Sequence, residues 1–368
     1  MTLKSLRSMT FNQRSTILPA LLLLLFFSSC SGSKRTFRLV EKDLKHNPVF
    51  EKGFTGVMIY DPEKKKPLYQ FNPHKYFTPA SNTKLLTFYT GLKLLGDSVP
   101  ALEYRLQNDS LIFRGTGDPS LLNPYLPPSG VVGFLENSQA ELFYLPPKTE
   151  ETFFGPGWAW DDYNDYYSVE RSAFPVYGNE VSFKANQVEE LPEVYPSAFR
   201  DSLVPDTLLQ EKIQRELSKN RFHYPAELNQ PELEQTVPFK TSTRTAVALL
   251  SDTIGRNIKI LKPNLNIDLD RTLFSIPTDS LYKRMLQKSD NFIAEQILML
   301  ASREISDTLE VPLAIKHMKK NYLQDLPDEV KWVDGSGLSR YNLTTPANMV
   351  SLLEKIQNEV SYERLFHL

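Results

Sequence analysis

Hydrophobic residues follow different spacings along the chain, and each spacing predicts a different kind of element. Two β-rich runs, 56–60 and 68–71, flank a charged turn, which predicts a β-hairpin. Residues 82–95 are apolar on most faces as far as Gly96, as in a helix buried on all sides. From 97 to 267 the pattern changes to short β-like runs and proline-rich loops. Helical spacing then returns at 281–288, 292–303, 312–322 and 346–357.

The length of the chain indicates an interrupted domain. Its 368 residues exceed what one ordinary core of about 100–200 residues accounts for, so two units or one domain with an insertion are expected. The pattern changes near residue 97 and again near residue 267. We therefore predict that 97–267 is inserted into a domain made of 51–96 and 268–368.

The first thirty residues have the pattern of a targeting segment. Basic residues precede an apolar run at 17–27, which is too short to span a bilayer because spanning takes about 20 apolar residues. The sequence Phe-Ser-Ser-Cys that ends at Cys30 resembles the lipobox of a bacterial lipoprotein precursor, and Cys30 is the only cysteine. We predict a signal peptide at 1–29, a membrane-anchoring lipid on Cys30 and a tether at 30–50. The alternative is an uncleaved signal anchor with an unused thiol.

Composition and charge exclude several classes of protein. The 41% hydrophobic and 23% charged residues are typical of a folded chain, and a net charge of -2 indicates no nucleic-acid partner. The five histidines form no pair with metal-ligand spacing, and neither a Gly-x-Gly-x-x-Gly nor a Walker motif occurs. We therefore predict no metal and no organic cofactor. Gly-x-Ser-x-Gly, the nucleophile motif of α/β-hydrolases, is also missing.

The candidate nucleophile that remains is Ser81, in the sequence Ser-Asn-Thr-Lys that ends at Lys84. Residues three apart share a face of a helix, so the Lys84 amine is expected near the Ser81 hydroxyl. Burial and nearby charge can lower the pKa of such a lysine until it takes a proton from the serine. The pattern is weak alone because it recurs at 31–34 and 280–283, and a capped helix start is the alternative interpretation.

A second polar group, Ser289-Asp290-Asn291, lies between two predicted helices. If both side chains point into one cleft, the serine hydroxyl can relay a proton and the asparagine amide can bind a substrate carbonyl. The alternative is an ordinary N-cap for the helix that begins at Phe292, with Glu295 as an additional capping carboxylate. The residues alone leave both interpretations open.

Five blocks that include these two groups occur in order along the chain. They are Phe77–Thr87, Gly115–Leu121, Gly155–Asp162, Ser289–Glu295 and Asp334–Arg340. From about residue 50 onwards, the series resembles the D-alanyl-D-alanine carboxypeptidase/endopeptidase family of low-molecular-mass penicillin-binding proteins. The resemblance implies an α/β fold with helices on both faces of a sheet. That fold is a serine β-lactamase/transpeptidase-like catalytic domain interrupted by a largely β inserted domain.

The same resemblance implies a function and a set of site residues. By matching positions, Ser81 is the acylated nucleophile, Lys84 its general base, Ser289 a second catalytic residue and Asn291 a substrate-binding residue. The implied protein removes D-Ala from peptidoglycan stem peptides and is inhibited by β-lactam antibiotics. We expect it in the bacterial cell envelope, in the periplasm, held to a membrane by the lipid on Cys30.

The chain departs from the family pattern at one point. The third motif, Lys-Thr-Gly, should follow Asp334–Arg340 and does not occur there. Lys240-Thr241-Ser242 is no substitute, because Ser242 or Thr243 is better placed to cap a following helix. Since the missing strand supplies a cation for the substrate carboxylate and an oxyanion donor, we expect a truncated form with weakened activity. The alternative function is a non-catalytic, lipid-anchored peptidoglycan-binding protein. A β-lactamase is less favoured because of the long insertion.

One further segment is rich in aromatic residues. It contains Trp158, Trp160, Tyr163, Tyr166 and Tyr167, with three aspartates among them. These rings could stack on the sugars of a glycan strand, but packing within the inserted domain is the favoured interpretation.

Overall fold

The structure is a computed structural model that describes residues 36–147, 153–185, 191–226, 233–263 and 265–368. The predicted signal peptide and Cys30 lie outside these residues. The chain forms two compact units, of which the first ends at Lys75 and the second covers Tyr76–Leu368. Among the described residues, no helix is both long and apolar enough to cross a bilayer.

Helices and strands are mixed along the chain, as the sequence predicts. In the described part, the α-helices are α1 (36–46), α2 (Pro48–Glu51), α3 (Lys84–Leu94), α4 (Val131–Asn137), α5 (Thr243–Ile254), α6 (Thr278–Lys288), α7 (Asn291–Arg303), α8 (Val311–Asn321), α9 (Pro346–Glu359) and α10 (Tyr362–His367). Short 3₁₀ helices lie at Ala80–Thr83, Trp160–Asn164, Tyr177–Asn179 and Ser197–Ser202. The strands are β1 (Val57–Asp61), β2 (Lys66–Phe71), β3 (Ser98–Gln107), β4 (Ser110–Gly115), β5 (Glu141–Tyr144), β6 (Glu180–Lys184), β7 (Glu193–Tyr195), β8 (Leu203–Asp206), β9 (Gln214–Arg215), β10 (Phe222–Pro225), β11 (Glu234–Pro238), β12 (Ile258–Ile260) and β13 (Arg271–Pro277).

The first unit contains the predicted hairpin. Strands β1 and β2 pair antiparallel, with Val57 opposite Phe71. The segment predicted as a tether, 30–50, is helical over 36–46, where Phe37, Val40 and Leu44 are partly buried at helical spacing. The Phe37 ring stacks on Tyr69 with 5.8 Å between centroids, which gives this helix an apolar contact with the hairpin. The structure therefore has a helix in part of the predicted tether.

The largest sheet of the second unit has five strands in the order β12-β5-β4-β3-β13. Strands β3 and β4 form a hairpin through a two-residue turn in which Asn108 has a φ of +53°. Strands β4, β5 and β12 run parallel to one another, while β3 is antiparallel to both β4 and β13. Strand β13 belongs to this sheet although it follows residue 267, where the predicted insertion ends. The domain boundaries stay a prediction.

Two further sheets have three strands each, in the orders β11-β6-β7 and β8-β10-β9. Their apolar side chains pack with those of the five-stranded sheet and of α5 into a cluster that we call the sheet core, which includes Phe113, Phe183 and Phe222. A second cluster, the helical core, lies among α3, α6, α7, α8 and α9. In α7 every residue from 292 to 302 is buried, because its sequence is apolar on nearly all faces. The helical core fixes the elements that carry the candidate site.

Candidate active site

Ser81 lies exposed at the N-terminal end of the segment that leads into α3. It belongs to the 3₁₀ helix Ala80–Thr83, and the α-helix itself begins only at Lys84, later than the predicted start at residue 82. Ala80 has a φ of +47°, which is uncommon for a residue with a Cβ atom. The Ser81 hydroxyl contacts Lys84 and Ser289, and no side-chain cap is formed at the start of the 3₁₀ helix or of α3.

The Lys84 side chain is buried and fully hydrogen-bonded. Its Nζ lies 3.3 Å from Ser81 Oγ, 2.6 Å from Asn291 Oδ1 and 2.8 Å from the carbonyl oxygen of Ser336. Burial lowers the pKa of Lys84 to about 8, although the nearby carboxylates of Glu295, Asp290 and Asp334 act in the opposite direction. The amine is still mostly protonated near physiological pH, but a much larger fraction of it is neutral than of an ordinary lysine, and a neutral amine can accept a proton.

Ser289 stands directly across from Ser81. It ends α6 with a left-handed φ of +54°, and this conformation directs its hydroxyl to donate to Ser81 Oγ at 2.9 Å. The two serines are 208 positions apart in the chain. Ser81 Oγ is thus within reach of two groups that can move a proton, the Lys84 amine and the Ser289 hydroxyl.

Asn291, in the first turn of α7, holds the lysine in place. Its Oδ1 accepts from Lys84 Nζ, and its Nδ2 donates to the backbone carbonyl of Tyr167 at 2.9 Å. One N–H of the amide is therefore used within the protein. The second N–H is the donor that the predicted substrate-binding role would need.

From the sequence, the turn at 289–291 was interpreted either as an N-cap or as part of the active site, and the contacts of Asp290 show that these two interpretations are compatible. Its Oδ1 accepts from the backbone N–H of Ile293 and so caps α7, and its Oδ2 accepts from Arg284 Nε at 2.8 Å. The capping role considered for Glu295 is wrong, because that carboxylate instead contacts Arg171 and the backbone of Gly335 and Ser336.

The block Asp334–Arg340 forms a tight loop against the start of α3. The buried Asp334 carboxylate accepts from Trp158 Nε1, the backbone N–H groups of Gly337 and Ser339, and Asn342 Nδ2, all within 2.7–2.9 Å. Burial raises the pKa of Asp334, and the Glu295 charge adds to this effect. From the sequence this block had no assigned role. In the structure it supplies the Ser336 carbonyl that holds Lys84.

Two glycines allow this loop to approach its neighbours. A Cβ atom on Gly335 would lie 2.6 Å from the carbonyl oxygen of Ala294 in α7. Gly337 has a φ of +83°, and a Cβ atom there would collide with the carbonyl oxygen of Ala80. The loop therefore contacts both helical segments that carry the site, and only residues without a Cβ atom fit at these two positions.

A cleft of about 470 Å³ opens beside Ser289 and Asn291. Its wall includes Tyr167 and Glu180, and burial raises the pKa of Glu180 to about 8, helped by the Asp290 charge. A volume in the range of about 300–1,000 Å³ suits a small molecule or part of a peptide. In the part of the chain that the structure describes, no group of three or more His, Cys, Asp or Glu residues could hold a metal ion.

The aromatic segment serves more than one purpose. Trp158 donates to Asp334, and the Tyr163 ring lies 5.1 Å from the guanidinium carbon of Arg215, so these two rings pack within the protein. Trp160 and Tyr166 remain 76% and 70% exposed. For these two exposed rings, sugar stacking stays the untested alternative to the favoured interpretation, packing within the protein.

Comparison with known proteins identifies the fold. The chain matches the D-Ala-D-Ala carboxypeptidase 3 (S13) family over residues 38–367. The structure is similar to that of penicillin-binding protein 4 from Haemophilus influenzae, with 21% identity, a TM-score of 0.65, and coverage of 84% of this chain and 76% of that chain. The same protein in complex with a novel β-lactam gives 20% identity, a TM-score of 0.59 and the same two coverages, 84% and 76%. No curated protein sequence gives a significant match.

The predicted resemblance and fold class are therefore confirmed. The match covers the segments that carry Ser81, Lys84, Ser289 and Asn291, and it includes the first unit of the chain from residue 38. This chain belongs to the D-Ala-D-Ala carboxypeptidase 3 (S13) family.

Proposed function

We propose that this protein is a serine D-Ala-D-Ala carboxypeptidase/endopeptidase that acts on peptidoglycan stem peptides through an acyl-enzyme on Ser81. One observation carries the proposal. Ser81 Oγ is exposed and lies 3.3 Å from a lysine amine with a lowered pKa and 2.9 Å from a second hydroxyl. This is the arrangement of an activated serine nucleophile.

The acylation step follows from these contacts. The neutral Lys84 amine takes the proton of Ser81 as Oγ attacks the carbonyl carbon of the D-Ala-D-Ala peptide bond. When the tetrahedral intermediate collapses, the carbon–nitrogen bond breaks and the leaving D-Ala nitrogen receives a proton. The Lys84 ammonium can return to that nitrogen the proton that it took from Ser81, since Nζ lies 3.3 Å from Ser81 Oγ and so close to the breaking bond. The Ser289 hydroxyl, 2.9 Å from Ser81 Oγ, is a second donor near the same carbon centre.

Deacylation reverses the proton path. A water molecule in the position that D-Ala has left gives its proton to the same amine and attacks the ester carbon of the acyl-enzyme. The ester bond breaks, Ser81 regains its proton, and the shortened peptide leaves with a new carboxylate. Asn291 keeps the Lys84 amine near Ser81 throughout, because it accepts from Nζ and is itself held by the Tyr167 carbonyl.

The partners and location proposed here follow from family membership and from the name of the structural neighbour. A penicillin-binding protein and its β-lactam complex share the fold, which supports β-lactams as inhibitors and stem peptides as substrates. Such substrates occur in the cell envelope, so we propose a periplasmic protein. Its attachment through lipid on Cys30 is part of the same proposal.

The test is acylation by a fluorescent penicillin, followed by mass spectrometry of the modified peptide. We expect one adduct, on Ser81, and release of D-Ala from a stem peptide that ends in D-Ala-D-Ala. The variant Ser81→Ala should lose both activities. The matched control is Ser280→Ala, since Ser280 and Lys283 repeat the same spacing within α6, away from the site, and this variant should react as the parent does.

Two results would contradict the proposal. An adduct on a residue other than Ser81 would refute the nucleophile. Binding of the stem peptide with neither an adduct nor release of D-Ala would instead favour the alternative, a non-catalytic peptidoglycan-binding protein.

A further inference from the structure

Glu295 is a charged residue near the middle of α7, the most buried of the helices in the described part of the chain. It is 0% exposed, and Arg171, its ion-pair partner, is 2% exposed. Arg171 Nη2 and Nε donate to Glu295 Oε2 at 2.6 and 3.0 Å. Burying two charges together is costly, and an apolar pair of the same volume is often as stable or more so. Stability alone therefore does not explain this pair.

The second carboxylate oxygen of Glu295 has a separate set of contacts. Oε1 accepts from the backbone N–H of Gly335 at 3.0 Å and from that of Ser336 at 2.8 Å. Two consecutive N–H groups on one oxygen fix the orientation of the peptide planes around them. The carbonyl oxygen of the same residue, Ser336, then accepts from Lys84 Nζ at 2.8 Å.

A continuous chain of contacts therefore joins Arg171 to the Lys84 amine. Arg171 orients the Glu295 carboxylate, Glu295 orients the peptide of Ser336, and the Ser336 carbonyl holds the amine. The Gly335 carbonyl also accepts from Thr87 Oγ1, one turn along α3 from Lys84, at 2.7 Å. The turn at 335–336 is thus fixed to both α7 and α3.

We propose that Glu295 is a positioning residue for Lys84, which it holds against Ser81 through the 335–336 turn. The negative charge of Glu295 also favours the protonated amine, so the residue sets both the place and the proton affinity of the base. The consequence for acylation rests on the proposed function, whereas the effect on Lys84 itself does not.

The effect of the Glu295 charge on the pKa of Lys84 can be separated from the effects of the two other nearby carboxylates. Burial lowers the pKa of Lys84, and the carboxylates that raise it are Glu295 first, then Asp290 and Asp334. Asp290 is bound to Arg284, and Asp334 is held by four donors that do not involve Glu295. Removing the Glu295 charge should therefore lower the pKa of Lys84 further, while the other two carboxylates stay in place.

The experiment measures Lys84 directly. The full chain is labelled with lysine carrying ¹³C at Cε, the Lys84 signal is assigned with the Lys84→Arg variant, and its titration is followed by NMR. In Glu295→Gln we expect the midpoint to fall by about one pH unit, the order of shift that loss of a nearby opposite charge produces. A merely structural role would lower the melting temperature and leave the midpoint unchanged.

A second variant guards against misfolding. Glu295→Gln removes the negative charge that balances the buried Arg171, which is destabilising, so Arg171→Met combined with Glu295→Gln removes both charges together. This double variant should also lower the midpoint, by less than Glu295→Gln alone, because the Arg171 charge that it removes acts on the amine in the opposite direction. The matched control is Glu103→Gln, since Glu103 pairs with Arg114 and Arg303 and has no hydrogen bond to the 334–340 loop in the described residues. Its Lys84 midpoint should equal that of the parent.

The outcomes distinguish this inference from the proposed function. An unchanged midpoint in the folded single and double variants would overturn the role of Glu295, whatever the activity. A lowered midpoint in a protein that penicillin does not acylate would support the role of Glu295 and refute the proposed function. A lowered midpoint together with slower acylation at high pH, where the amine is neutral in both forms, supports both.

Discussion

At the scale of single residues, Lys84 determines how the proposed reaction depends on pH. Burial lowers its pKa to about 8, and only the neutral amine can take the proton of Ser81. The neutral fraction rises as the pH rises through that value. We therefore expect acylation by penicillin to accelerate about tenfold per pH unit below pH 8 and to level off above it.

The measurement is the second-order rate of acylation from about pH 6 to about pH 9. Lys283→Ala, in the chance repeat of the motif, is the control and should keep the parent profile. A rate that stays flat between pH 6 and pH 8 would show that Lys84 is not the base.

Gly337 is a second residue at which a substitution should affect the site. Its left-handed backbone and its contact with Ala80 leave no room for a Cβ atom, so Gly337→Ala must move the segment that carries Ser81. We expect a loss of about 1–3 kcal/mol in the free energy of unfolding and slower acylation. Denaturant unfolding and penicillin labelling measure the two effects.

Gly133 provides the control for this substitution. It lies within α4 with open space around its Cα, so Gly133→Ala should leave acylation unchanged and stabilise the protein by about 0.5–1 kcal/mol. Equal behaviour of the two alanine variants would show that the Gly337 contact with Ala80 does not matter.

At the scale of elements, the cap of α5 tests an interpretation made from the sequence. Ser242 Oγ accepts from the Thr245 N–H, as expected for a cap and not for a catalytic motif. Ser242→Ala should therefore lower the free energy of unfolding by about 1 kcal/mol, and Ser242→Gly by only a few tenths. Both variants should acylate at the parent rate. A loss of acylation without a loss of stability would place this segment in the site.

The sequence predicted the helices better than the sheets. The patterns at 281–288, 292–303, 312–322 and 346–357 correspond to α6, α7, α8 and α9, because a helix is specified by neighbours three and four residues apart. The pairing of β5 with β12, more than a hundred residues later, leaves no local signal. The 3₁₀ turn at Ser81 was also missed, since its close neighbour Gly337 comes from a distant part of the chain and leaves no local signal.

The site was predictable only in part, for a related reason. Four residues could be predicted as site residues from their types and spacing, and the structure brings them together: Ser81, Lys84, Ser289 and Asn291. Glu295 was interpreted as an additional capping carboxylate because it lies in the first turn of the helix predicted to begin at Phe292. Its partners, Arg171 and the 335–336 turn, come from distant parts of the chain, so no local pattern could identify them.

At the scale of the whole molecule, burial predicts where the fold opens last. All residues of α7 from 292 to 302 are buried, whereas α10 has no buried residue. Amide hydrogens exchange slowly where opening requires the loss of the core. We expect peptides from α7 to exchange slowest and peptides from α10 to exchange among the fastest, as measured by mass spectrometry. Similar rates in the two helices would contradict a helical core centred on α7.

The burial of α7 also limits how far its sequence can vary. In an ordinary surface helix, about half of the positions face water and accept many residues. In α7 the polar side chains also make specific hydrogen bonds. Gln296 donates to the carbonyls of Gly117 and Ser172. Ser302 donates to the carbonyls of Met299 and Thr308. Almost every substitution in α7 therefore disturbs packing or a hydrogen bond. Few substitutions there should leave the free energy of unfolding unchanged. In a library of variants selected only for folding, we expect very few residue types at each position of α7 and many at each position of α10.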